Sequence, residues 1–296
     1  MERHAAERLK IWIASDHRKP LVIRGARQVG KSTLVRRFAE AEGLRLHEVN
    51  LERHAALDRV FETLDTDEIL RELAFLCGKG SLTAPGSLLF LDEIQAVPSA
   101  IPALRYLLED HPELPVIAAG SLLEFALSDH AFSMPVGRIE YLFLGPMTFA
   151  EVLLALGEQD LLDLLADWTV QDAFPETAHQ RLLAHLQAYV LVGGMPEAVQ
   201  RYVDTRDMAS SLDVHASITQ TYREDFAKYG SAADRVRLHK VFDYVPTAIG
   251  RKLKFANIDP DERARDLGRA VDLLAGAQVI TKRSEERRVG KECATG

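Results

Sequence analysis

Apolar and polar positions change their period along the chain. Between residues 20 and 145, short apolar runs alternate with stretches of helical spacing. Leu21-Val22-Ile23 is a run that stops at Gly25. Lys31 to Glu42 follows, with Leu34, Val35 and Phe38 on one face and Arg36, Arg37 and Glu40 on the other, as in a helix half in water. Leu44 to Leu51 alternates with period two, as a strand does. Ser87 to Leu91 and Val116 to Ala119 are almost continuously apolar, which suits strands buried on both faces. Pro102 to Asp110 lies between them with helical spacing, and Ile139 to Leu144 is one more expected strand before Gly145-Pro146. Strands separated by helices predict an α/β fold with a parallel sheet flanked by helices, because parallel neighbours need a crossover and a helix supplies it.

From Thr148 onward the pattern is helical. Glu151 to Leu156, Gln159 to Asp167 and Ala178 to Val192 carry apolar stripes, Gly193-Gly194-Met195-Pro196 interrupts them, and Glu197 to Val203 resumes. The expected division is a core at 1–150, a helical lid at 151–230, a third segment at 231–282 and a foreign tail at 283–296. Within the third segment, Val236 to Tyr244, Pro246 to Gly250 and Asp261 to Leu274 are expected helices, with Asp259 as cap and Pro260 at the first helical position. This order resembles a winged helix, whose third helix would bring Arg263, Arg265 and Arg269 to phosphates.

Composition narrows the functional classes. The 296 residues are 47% hydrophobic and 27% charged, which excludes a disordered or fibrous chain. Cys77 and Cys293 stand far apart without neighbouring histidines, so neither a disulfide framework nor a zinc site is expected. The charged start has no signal-peptide core and no apolar stretch is long enough to span a membrane, so the expected location is the cytoplasm. Net charge is -8, unevenly spread: residues 231–282 hold ten Lys/Arg against seven Asp/Glu, and the tail holds four against three. Residues 1–230 therefore carry -12, which argues against a basic nucleic-acid coat but leaves room for a DNA-facing end. Arg283 to Cys293 reads like an in-frame translation of a sequencing adaptor, so the native chain is expected to stop near Lys282.

Gly25-Ala26-Arg27-Gln28-Val29-Gly30-Lys31-Ser32 matches the phosphate-binding pattern G-x-x-x-x-G-K-[ST]. The glycines let successive backbone N–H groups turn toward phosphate oxygens, and the helix opening at Lys31 adds its positive dipole end. Lys31 is expected to reach the β- and γ-phosphates of ATP, and the Ser32 hydroxyl to ligate Mg²⁺, with Thr33 completing the loop. Arg24 and Arg27 flank the loop, and Arg27 is a candidate phosphate contact.

The apolar run ending in Asp92-Glu93 sets two carboxylates at the C-terminal edge of a buried strand, where ligands bind in open α/β sheets. Asp92 is expected to hold Mg²⁺, and Glu93 to act as general base toward water. Ser121, at the end of the next strand, either positions that water or caps a helix through Glu124. Arg138 is either an arginine finger or a surface ion pair.

These motifs, together with Leu91 to Gln95, Gly145-Pro146-Met147-Thr148-Phe149, Val192 to Val199 and Thr221 to Tyr229, resemble those of prokaryotic AAA-type ATPases that carry a C-terminal domain of unknown function. The resemblance implies an AAA+-like P-loop core, a helical lid and a winged-helix-like segment. It matches Asp92 and Glu93 to a Walker B pair, Ser121 to a sensor position and Arg138 to a Gly-Arg motif. Family members continue into tails similar to restriction nucleases, with a Glu-x-Lys pattern, and no such pattern on a strand-like run follows Ile280 here. The leading expectation is Mg²⁺-dependent ATP hydrolysis driving a conformational switch on an unknown protein partner, with a homo-oligomer as a candidate assembly. The alternatives are a nucleotide-controlled DNA-binding module acting through residues 235–282 and a small-molecule phosphotransferase.

Overall fold

The computed structural model describes every residue except 79, 122, 124–133, 136, 228–230 and 284–296. Helix α1 (Ala5–Ile13) buries Leu9 and Trp12 and leads into β1 (Leu21–Gly25). Helix α2 (Lys31–Ala41) follows the loop after β1 and buries the predicted face of Leu34, Val35 and Phe38. Then come β2 (Arg45–Asn50), α3 (Asp58–Glu62), α4 (Thr66–Cys77), β3 (Ser87–Asp92), α5 (Ala100–Asp110), β4 (Val116–Ser121) and β5 (Glu140–Phe143). The helix α4 lacked a sequence expectation; Asp65 caps it by accepting from the Glu68 N–H at 3.0 Å.

The five strands lie in the order β2-β3-β4-β1-β5, and every pairing is parallel. The continuously apolar runs became β3 and β4, both buried along their whole length. Side chains alternate across the sheet. Leu21, Ile23, Leu88, Phe90, Ile117 and Ala119 join a core with α1, α2 and the C-terminal helices. Val22, Leu89, Leu91, Val116 and Ala118 face the other layer, with Ile69 and Leu73 of α4 and Leu104 and Leu107 of α5.

The C-terminal half is helical: α6 (Phe149–Leu156), α7 (Gln159–Asp167), α8 (Glu176–Val192), α9 (Pro196–Thr205), α10 (Leu212–Phe226), α11 (Ala232–Tyr244), α12 (Phe255–Ile258) and α13 (Ala264–Gly276). The described residues after Ser231 form helices and turns, with no strand among them. The last long helix starts at Ala264 with Arg263 as its cap residue, so the expected start at Asp259-Pro260 is corrected. Asp259 is engaged elsewhere: its carboxylate takes the Lys240 ammonium at 2.6 Å and the Asp261 N–H at 2.9 Å, which closes a separate turn.

Two backbone approaches fasten the helical half to the sheet. The Met147 N–H donates to the Gly194 carbonyl at 2.6 Å, and the Tyr189 hydroxyl donates to the Met147 carbonyl at 2.8 Å. A Cβ on Gly194 would fall 2.2 Å from the Met147 carbonyl oxygen, a clash with backbone on both sides. The Gly-Gly-Met-Pro break thus serves a docking contact rather than only ending a helix. Gly194→Ala is expected to lower stability by about 2–4 kcal/mol, read as a fall in Tm, because neither chain can retreat without breaking the contact.

Candidate active site

The loop between β1 and α2 is wound by two left-handed positions, Gln28 at φ 63° and Gly30 at φ 92°. The Lys31 ammonium, buried at the start of α2, donates to the Gly25 carbonyl at 3.1 Å and the Ala26 carbonyl at 2.9 Å. Burial brings the Lys31 pKa down to about 8, against the pull of the Glu93 and Asp92 carboxylates, and the Arg27 charge lowers it further. A polyphosphate prefers the charged form and raises that pKa on binding. Affinity for nucleotide is therefore expected to fall as pH rises from 8 toward 10, by up to about tenfold per unit, in a calorimetric titration series.

Strand β4 lies between β1 and β3, so the loop and the acid pair are not on neighbouring strands. The register still brings their ends level: Gly25 pairs with Ser121, and Ala119 with Asp92. Across that gap the Ser32 hydroxyl donates to Asp92 Oδ2 at 2.8 Å, joining residues 60 apart in the chain. Burial pushes the Asp92 carboxyl above its usual range, and the Ser32 hydrogen bond only partly offsets it. A cation beside this carboxylate would relieve that cost. Ser32 and Asp92 are hard oxygen donors suited to Mg²⁺, which binds through one or two protein oxygens and completes its shell with phosphate and water.

Glu93 turns sharply at φ 54°, so its side chain leaves the strand direction and faces the end of β4. Glu93 Oε2 accepts from the Ser121 hydroxyl at 3.1 Å and from the Gln95 amide at 2.5 Å. Both donors hold the same oxygen, and Oε1 takes no hydrogen bond from the described residues. Ser121 thus sits beside the acid pair; the alternative of a cap through Glu124 lies outside the described residues.

Arg27 pairs with Asp225 of α10 at 2.8 Å. Arg24 stacks over Tyr141 and Phe143 of β5, with its guanidinium carbon 5.3 and 5.7 Å from the ring centroids, and so fastens an edge strand. Arg138 is not brought to this site, which corrects the expected arginine finger acting within one chain. It precedes β5, whose first residue pairs with Leu21 at the opposite end of β1 from Gly25, about 13 Å away along the strand. There Arg138 meets Glu109 at 3.3 Å on the surface.

Four contributors escaped the sequence reading. Gln95, Tyr222 and Asp225 lay inside recognisable motif segments without an assigned role. Arg3 had no local signal. It donates to the Val29 carbonyl at 2.8 Å, to the Gly145 carbonyl at 2.7 Å and to buried Glu151 at 3.1 Å, tying the loop to the base of α6. Burial alone would raise the Glu151 pKa, but the Thr148 and His4 N–H groups and Arg3 outweigh it and hold the carboxylate below its usual range. Beside the loop a cavity of about 530 Å³ opens against Met1, Arg3, Gly30, Thr33, Arg37 and Pro196.

The sheet is thus all-parallel, with the phosphate-binding loop after the interior strand β1 and an acid pair two strands away at the end of β3. Residues 17–153 match the model of an AAA domain, and residues 183–293 match a domain of unknown function, DUF8612. The second match continues past Lys282 through the segment expected to be foreign. No curated protein matches the chain. Among solved structures, the Aeropyrum pernix ORC2 protein, determined as ADPNP–ADP complexes, aligns over 93% of this chain and 85% of its own, with 16% identity and a TM-score of 0.44. Among the described residues, no helix is long and apolar enough to cross a membrane.

Proposed function

We propose that the chain binds ATP with Mg²⁺ and hydrolyses it, and that the cycle changes how the helical half is held against the core. The observation that carries this reading is the Ser32–Asp92 hydrogen bond beside a separately held Glu93. A loop that only bound phosphate would need no second carboxylate kept apart from the first.

In this reading the loop amides, Lys31 and Thr33 hold the phosphates, and the nucleoside extends into the 530 Å³ cavity beside Gly30, which is of the size that takes such ligands. Mg²⁺, held by Ser32 and Asp92, supplies charge neutralisation at the phosphate oxygens. Glu93 accepts the proton of the attacking water at Oε1, while Ser121 and Gln95 fix its other oxygen. Arg138 takes no part in this cycle within one chain.

Adding Mg·ATP to the full chain should release phosphate into water. Phosphate found only on an added small-molecule acceptor would replace this reading with a phosphotransferase. The DNA reading of residues 235–282 draws less support. Arg237 meets Glu262 at 2.8 Å, and Lys240 meets Asp259, so acids of the same segment engage much of its positive charge.

A further inference from the structure

Helix α10 touches the phosphate-binding loop through two side chains one turn apart. The Tyr222 hydroxyl donates to the Arg27 carbonyl at 3.1 Å, and the Asp225 carboxylate takes the Arg27 guanidinium at 2.8 Å. Both are buried; the Asp225 side chain is only 4% exposed, against 31% for Arg27. The helix is braced from behind, where Phe226 packs at 5.2 Å from Phe242 and 5.7 Å from His239 of α11. Packed rings therefore make the loop contact continuous with α11.

The two contacts act on the loop in opposite ways. The Arg27 carbonyl and the Gln28 N–H share one planar trans peptide and point in opposite directions. By holding the carbonyl, Tyr222 turns the Gln28 N–H away from α10 and keeps the loop wound. Asp225 instead neutralises a guanidinium whose charge is already felt at the Lys31 ammonium. A phosphate beside Lys31 would compete with Asp225 for that guanidinium.

We infer that Tyr222 and Asp225 are positioning residues of opposite sign: Tyr222 preorganises the loop for nucleotide, and Asp225 withholds Arg27 until the phosphates arrive. Binding then exchanges the Arg27–Asp225 pair for an Arg27–phosphate contact and loosens α10, which links occupancy of the loop to the helical half. This rests on the nucleotide reading above and names the element that regulates the site.

The test is calorimetric titration of full-length protein with ATP, wild type beside Tyr222→Phe, Asp225→Asn and Asp225→Glu. Tyr222→Phe should weaken binding about fivefold, the worth of one ordinary hydrogen bond. Asp225→Asn should tighten it about tenfold, since a charge-assisted contact is freed for phosphate. Asp225→Glu, which restores the charge, should return toward wild type. A merely structural helix would make both neutral variants shift the same way, and that result overturns the inference. Hydrogen exchange on the wild type gives a reading that needs no variant: amides at 222–227 should exchange faster with ATP bound, and unchanged or slower exchange overturns the inference. Wild-type protein that binds no ATP removes the nucleotide reading as well, whereas ATP binding with like-signed variants removes only this one.

Discussion

Lys31→Ala is expected to abolish measurable nucleotide binding, with affinity for ATP falling at least about 100-fold. The ammonium is buried at the base of the loop and already directs hydrogen bonds inward, to the Gly25 and Ala26 carbonyls. Phosphate oxygens would replace those carbonyls as acceptors. Hydrogen bonds to charged groups contribute about 1.5–3 kcal/mol each, and two of them exceed the 2.7 kcal/mol or so that a 100-fold change requires. The fold itself should persist, because Lys31 is the first residue of α2 and its ammonium bonds only backbone carbonyls at the head of the loop. Equilibrium titration of ATP, with thermal unfolding as the control, checks both halves. Turnover at the wild-type rate would end the nucleotide reading.

Glu93→Gln separates binding from chemistry. Hydrolysis should fall by roughly 10² to 10⁴, the usual contribution of a positioned general base, while ATP affinity stays near wild type. The amide keeps the size of the carboxylate, and its oxygen can still accept from Ser121 and Gln95. What it loses is the capacity to take a proton from water. Asp92 keeps its bond from Ser32, so the expected cation position is not disturbed. Single-turnover phosphate release beside ATP titration is the measurement, and equal loss of binding and turnover would mean that Glu93 serves as a ligand instead.

The two substitutions fall on residues of unequal legibility. Lys31 was readable because its chemistry is local: a glycine pattern, a strand before it and a helix after it lie within twenty residues of one another. Glu93 was readable only as the end of an apolar run. Its proposed role depends on Ser121, which reaches it because β4 pairs with β3, and on Gln95 two residues further on, with Glu93 itself turned to positive φ. Arg138 shows the opposite case. A Gly-Arg pair before a strand suggested a finger, but parallel strands start at the edge that faces away from their ligand-binding ends. The helix start expected at Asp259 failed for a similar reason, since Lys240, distant in sequence, had claimed the carboxylate.

The sequence by itself determined the layers, the loop and the acids, because hydrophobic period and glycine spacing act over a few residues and need no knowledge of distant neighbours. Tertiary structure alone decided the strand order, the pairing of Ser32 with Asp92, the isolation of Arg138 and the grip of α10 on Arg27. That last contact joins residues 198 apart in the chain. No local pattern encodes such a pairing: it forms only once both cores have packed and a buried carboxylate requires a cation.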